Sequence, residues 1–197
     1  IDLNKKIVAL TFDDGPGPYT SRLIDILNNN KAHATFFMLG KNLSIYKDAV
    51  KKAYDNKMEI GYHSYNHKNF KRQKLETIVE EFNESNEILK SITGDTFHLI
   101  RPPYGSINEK IKESLGASFI LWNVDTEDWR HKNTDYLKDY VLENLHFVPE
   151  EEKNLFDFNF VCVLTRNSVG MESGKRASLE EVVSIIRGYH VRVDETL

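Results

Sequence analysis

Short apolar runs along the chain alternate with longer stretches whose apolar residues recur at helical spacing. The strand candidates are Ile7 to Phe12, Ala34 to Leu39, Phe97 to Ile100, Phe119 to Val124 and Phe160 to Leu164. Between them, Leu75, Ile78, Val79, Phe82 and Leu89 form one helical stripe ended by Gly94, and Leu137, Tyr140, Val141 and Leu145 form another. Ser178 with Glu181 three residues on is a capping box, and it opens a helix that turns Leu179, Val182, Val183 and Ile186 inward. A weak strand, Tyr189 to Val193, closes the chain. Strands alternating with helices predict an α/β fold with a mainly parallel sheet, and the order reads as a (β/α) barrel.

The length, 197 residues, suits one substantial core, so residues 1–197 are expected to form a single domain. No repeat, low-complexity tract or Pro/Gly-rich linker marks a boundary. The formal net charge is -4 and the Lys and Arg residues are dispersed, which excludes the basic stripe of a nucleic-acid binder. The lone Cys162 excludes an internal disulfide and a cysteine-rich zinc site. No apolar run approaches the ~18 residues of a spanning helix, and a start at Ile1 suggests that a signal peptide or anchor preceded it. With many Asn, Lys and Ile residues, this start leads us to expect a monomeric extracellular or cell-envelope domain of a bacterium.

In barrels of this kind the chemistry gathers at the C-terminal ends of the strands. Asp13-Asp14-Gly15-Pro16 follows the first strand, and strand alternation predicts that the two carboxylates point differently. Adjacent carboxylates perturb each other unless a cation intervenes, so one can bind a metal and leave the other as a base; the same four residues also suit a plain turn with solvated acids. His63 and His67 stand four residues apart and can face one ion where the segment is helical, or remain an ordinary solvated pair. With Asp14 the donors number three, and two imidazoles and a carboxylate are a frequent set for a catalytic divalent ion.

These segments together resemble the polysaccharide deacetylases, a carbohydrate esterase group also described as the NodB homology domain (carbohydrate esterase family 4). The resemblance rests on Thr11-Phe12-Asp13-Asp14-Gly15-Pro16, His63-Ser64-Tyr65-Asn66-His67, Arg101-Pro102-Pro103-Tyr104-Gly105 and Asp125-Thr126-Glu127-Asp128-Trp129, with the strand Ala34-Thr35-Phe36-Phe37. It covers about Ile7 to about Leu145 and implies a distorted (β/α) barrel of about seven parallel strands. It implies that Asp14, His63 and His67 bind one divalent ion, with zinc as the default and cobalt, nickel or manganese compatible. It further implies that Asp13 is the base, that Arg101 pairs with it, and that the backbone N–H of Tyr104 meets the oxyanion. Asp128 would orient a catalytic histidine, Trp129 would wall the groove, and Leu164 would line the acetyl pocket. The implied reaction is release of acetate from N-acetylated glucosamine units of peptidoglycan or chitin-type oligomers, an amidohydrolase acting on linear amides. Tyr19, Tyr62 and Tyr65 lie near the motifs, where tyrosines either stack on sugars or pack the rim.

One motif departs. The family expects an apolar strand ending in Leu, one residue and then His, whereas Leu164 is followed by Thr165 and Arg166. No imidazole stands where the general acid belongs, which makes the part of the chain from about residue 146 atypical. His146 and His131 are the available substitutes, and a catalytically impaired member that binds carbohydrate or a partner without turnover is the competing reading.

Overall fold

A computed structural model describes residues 7–131, 134–144, 160–166 and 192–193. The elements run β1 (Ile7–Gly15), α1 (Thr20–Asn29), β2 (Thr35–Met38), α2 (Gly40–Leu43), α3 (Lys47–Asp55), β3 (Glu59–Tyr62), α4 (Leu75–Thr93) and β4 (Leu99–Ile100). They continue as α5 (Glu109–Leu115), β5 (Ser118–Phe119), β6 (Val124–Asp125), α6 (Thr134–Asn144), β7 (Phe160–Arg166) and β8 (Arg192–Val193). Every pairing between strands is parallel. The sheet order is β5-β4-β3-β2-β1-β7-β6, and β8 joins the start of β1 at Ile7 and Val8.

The covalent chain forces this sheet to curl. Laid flat, seven strands would hold β5 and β6 about 29 Å apart at the usual spacing. Only Ile120 to Asn123 connect those two edges, and such a link reaches at most about 18 Å. The sheet therefore bends toward closure, which gives the distorted barrel expected of the family. Phe119 to Val124, one strand by apolar pattern, is in fact two strands on opposite edges with a junction between them. The pattern could not separate them, because Ile120, Leu121 and Trp122 between them are themselves apolar.

β1 is longer than its apolar run: it continues through Asp13, Asp14 and Gly15, so both carboxylates belong to the strand end. β7 likewise runs on to Arg166. The pattern did not single out β3, whose Glu59 and Gly61 interrupt the apolar run, nor the helices α1, α3 and α5. The Leu75 stripe is α4, which buries Ile78, Phe82, Ser85 and Leu89 and stops at Gly94, whose φ of 83° a side chain would resist. In α6, Val141 is buried and Tyr140 packs against the core. Leu145, His146 and the helix expected from Ser178 lie outside the described residues.

The core sits between sheet and helices. β2 is buried along its whole length, and Phe36 stacks on Phe12 of β1 with ring centroids 5.3 Å apart. Burying one such ring stabilises by about 1.5–3 kcal/mol. Tyr62, Phe82 and Phe97 form a second aromatic group that joins β3 to α4, so Tyr62 belongs to the core and not to a sugar-stacking rim. Gly61 is required there: a Cβ would lie 2.4 Å from the Phe37 ring.

Candidate active site

The site begins with a bulge. In the β1–β2 ladder Asp13 pairs with Phe37 and Gly15 with Met38, so Asp14 is the extra residue. Asp14 adopts φ 69°, a left-handed conformation that aspartate tolerates better than most side chains. The bulge overrides the alternation expected from sequence and brings both carboxylates to His63, whose Nε2 lies 3.6 Å from Asp13 Oδ2 and 3.6 Å from Asp14 Oδ1.

The two histidines do not share a helix. They flank a tight turn after β3, with φ 65° at Ser64 and 64° at His67. Neighbouring groups hold this turn. Ser64 Oγ accepts from the His67 N–H at 2.8 Å, and the Ser64 and Tyr65 carbonyls accept the first two N–H groups of α2 at 3.0 Å. The imidazole rings lie 5.1 Å apart, and His67 Nε2 reaches to 3.3 Å from Asp14 Oδ1.

One potential ligand atom from each of Asp14, His63 and His67 falls within 4.8 Å of the others, a set that fits a divalent ion. His63 Nδ1 donates to the Arg101 carbonyl at 2.6 Å, which leaves Nε2 with its lone pair toward the carboxylates. Burial pushes the His63 pKa down to about 3, against the attraction of Asp14, so the ring is neutral and ready to ligate at ordinary pH.

Asp13 faces that set with Oδ2, while its Oδ1 is bound by a buried guanidinium. Arg101 is fully buried, and its Nη1 donates to Asp13 Oδ1 at 2.8 Å and to Thr11 Oγ1 at 2.7 Å. Its remaining nitrogens donate to the Leu121 carbonyl at 3.0 Å and the Ile120 carbonyl at 3.4 Å, while its plane covers Phe37 4.1 Å away. Opposite charge, satisfied donors and an aromatic face together make a buried cation tolerable. Ile120 and Leu121 belong to the junction between the sheet edges, so the curl of the sheet completes the surroundings of the Asp13 partner, Arg101. Sequence reading missed these acceptors, because backbone carbonyls leave no residue-type signal. Thr11 carried no signal beyond its place in a motif.

Tyr104 sits in a short 3-10 turn, Pro103–Gly105, with φ 62°. Its ring is exposed and meets His67 edge-on with centroids 4.9 Å apart. Among the described residues its N–H has no acceptor, which leaves that donor available at the mouth. Asp128 is buried and accepts from Thr126 Oγ1 at 3.3 Å, while Trp129 is half exposed, as a groove wall would be. His131, a possible substitute for the missing acid, faces Glu127 at 3.6 Å and stacks on Tyr136. Leu164 pairs with Thr11 on one side and Asp125 on the other, and the next register position but one places Arg166 beside Asp13.

A bulged Asp-Asp strand end, a two-histidine turn and a buried arginine at one barrel mouth define a class, and comparison agrees with it. A family model described as polysaccharide deacetylase matches residues 1–118, and the chain belongs to that family. Among its relatives is the peptidoglycan-N-acetylmuramic acid deacetylase PdaC of Bacillus subtilis, 36% identical over 143 residues, 72% of this chain and 31% of that protein. The chain thus spans about a third of that relative's length. The solved structure of PdaC superposes with a TM-score of 0.82 at 29% identity, covering 98% of this chain and 88% of that one. The peptidoglycan N-acetylglucosamine deacetylase Bc1960 matches with a TM-score of 0.83 at 30% identity, over 96% and 86% of the two chains. BA3943 of Bacillus anthracis, a pseudoenzyme of the same family, matches at 0.79 and 26% identity over 98% and 66%. A BA3943 mutant with restored enzymatic activity matches at 0.80 and 27% identity, over 98% and 69%.

Proposed function

We propose that the chain is a metal-dependent N-deacetylase that releases acetate from glucosamine-containing polysaccharide, peptidoglycan or chitin-type oligomers. The observation that carries this reading is Asp13, clamped by buried Arg101 and set 3.6 Å from a ligand histidine. A carboxylate so placed is kept beside the ion-binding set instead of joining it. Peptidoglycan deacetylases among the relatives support the substrate class.

Asp14, His63 and His67 would hold the ion, and zinc is our assignment. When bound, such an ion supplies Lewis acidity, lowering the pKa of water and polarising the acetyl carbonyl. Asp13 takes the proton of the attacking water, which its fixed geometry beside Arg101 prepares it to do. The Tyr104 N–H donates to the oxygen that gains charge. Water adds hydroxyl to the carbonyl carbon, the C–N bond breaks, and the proton taken up by Asp13 passes on to the leaving amine, giving acetate and a free amino sugar. We place the protein outside the cell or in the bacterial envelope as a monomeric single domain over residues 1–197.

A second reading has its own observation. Arg166 occupies the ladder position beside Asp13 where the family expects an imidazole, and a guanidinium does not give up its proton. A binding domain that retained its metal site would look the same. Acetate release from N-acetylglucosamine oligomers and peptidoglycan decides between them, with zinc-loaded, metal-stripped and Asp13→Asn proteins compared. Metal-dependent release lost in the variant establishes the deacetylase; silence on every substrate establishes the binding domain.

A further inference from the structure

The histidine turn runs directly into a basic loop. From His67 to Lys74 the chain carries Lys68, Lys71, Arg72 and Lys74 and no acidic residue. The loop is well anchored. Phe70 is fully buried at the start of a 3-10 turn, Phe70–Arg72, Asn69 caps that turn by accepting from the Lys71 N–H at 2.9 Å, and the Arg72 and Gln73 N–H groups bond back to Asn69 and Phe70.

Together with the Tyr104 ring this loop borders an open cavity of about 510 Å³ lined by His67, Lys68, Asn69, Arg72, Gln73 and Tyr104. Every one of these side chains can donate a hydrogen bond, none is acidic, and two carry fixed positive charge. Among the described residues neither Lys68 nor Arg72 makes an ion pair. Lys68 acts at a distance on Glu81, whose pKa burial raises while Lys68 pulls it down. Gln73 Nε2 is a buried donor with no hydrogen-bond partner. A cavity with surplus donors and positive charge is complementary to a carboxylate, which offers about four acceptor sites and suits the arginine fork.

The position narrows the ligand further. His67 belongs both to this cavity and to the candidate ion-binding set, so an anion bound there would lie next to that set. In wall glycans the acetamide is on C2 of the sugar, and muramic acid carries a lactyl ether on the adjoining C3. An N-acetylglucosamine unit has only a hydroxyl there.

We infer that this cavity is an anion subsite selecting glycans with a carboxylate next to the N-acetyl group, and that Arg72 and Lys68 determine this specificity. The inference rests on the deacetylase reading of the same site. Two sources supply the group: the free lactyl carboxylate, or the carboxylates of a peptide attached through it.

Calorimetric binding to the zinc-loaded Asp13→Asn protein, in which turnover is blocked, tests the subsite. Three oligomers of equal length serve as probes: a peptide-free glycan containing muramic acid, the same glycan with its peptide, and a neutral N-acetylglucosamine oligomer. The peptide-free glycan is expected to bind about tenfold tighter than the neutral one, and salt should narrow the gap. Adding Arg72→Gln and Lys68→Gln should erase that preference and leave the neutral oligomer unchanged, while Lys74→Gln on the same loop should leave it intact. A preference confined to the peptide-bearing glycan also supports the subsite and assigns the peptide as its source. Equal affinity for all three, including no measurable binding of any, overturns it, as does equal weakening of all three by the double substitution. Binding is read without turnover, so failure of the wild-type protein to release acetate would count against the deacetylase and not against the subsite.

Discussion

The C-terminal ends of β1, β3 and β4 and those of β6 and β7 belong to the same end of one parallel sheet, and the two sides differ in what they present there. On the first side Asp13, His63 and Arg101 are only 3%, 3% and 0% exposed, and each has a partner within 3.0 Å. On the second, Asp128 is buried beside Thr126, but Trp129 is 51% exposed and Arg166 stands in the ladder beside Asp13. The half proposed to hold the ion and accept the proton is preorganised, whereas the half proposed to protonate the leaving amine is where the chain departs from the family's pattern. Attack and leaving-group departure are separate demands, and a barrel that builds them from different strands can keep one while altering the other.

The largest expected effect comes from disabling the firm side. Asp13→Asn should lower acetate release by about a hundred to ten thousandfold, the span of a general base, while metal content stays at one equivalent by elemental analysis. Loss of the ion as well would mean that Asp13 is a ligand, and the division of roles would be wrong. Next, Arg101→Met leaves the Asp13 carboxylate buried without its cation, which should destabilise folding by about 3–5 kcal/mol in urea unfolding of the metal-stripped protein. A change under about 1 kcal/mol would show that the carboxylate is solvated after all.

The comparison sharpens on the other side. Arg166→His restores an imidazole beside Asp13 and should raise acetate release on the order of a hundredfold, the low end of a general acid's contribution. An unchanged rate would remove that ladder position from the reaction. Gly61→Ala is a smaller probe of the firm side from below: its Cβ would push Phe37, the ring under Arg101, at a cost of about 1–3 kcal/mol in thermal or urea unfolding. Full stability there would show that Phe37 can move without consequence.

A separate effect is on pH dependence. His63 has a folded pKa of about 3 against the ordinary histidine value of 6.5, so between those values the unfolded chain binds a proton that the folded chain refuses. Its contribution to the stability of the metal-stripped protein is present above pH 6.5 and is lost as pH falls toward 3. Thermal midpoints recorded across that window should fall more steeply for the wild type than for His63→Gln. Parallel curves would contradict a neutral buried ring.

Much of the firm side is legible in the sequence. Residue type and motif order single out Asp13, Asp14, His63, His67 and Arg101, and the structure brings all five together. What misleads is local geometry. Alternation puts the two aspartates on different faces, and helical spacing is the route to a shared ion, but a bulge and a left-handed turn do both tasks. Neither device has a composition signal, since Asp14 and His67 take positive φ without being glycine. Leu164 is expected as a pocket residue, and its ladder position between Thr11 and Asp125 is established. His146 falls outside the described residues.

The amino-acid sequence by itself determined the alternation of strands and helices and the donor inventory: periodicity sets the apolar face of the longer helices, and residue type sets which groups can ligate, donate or take a proton. Tertiary structure alone decided which groups meet. Arg101 and Asp13 lie 88 positions apart, and the carbonyls that complete the guanidinium come from a junction that exists only because the sheet curls back on itself. The physical reason is that coordination and ion pairing depend on distances of a few ångströms, whereas local pattern specifies only direction along a strand or around a helix.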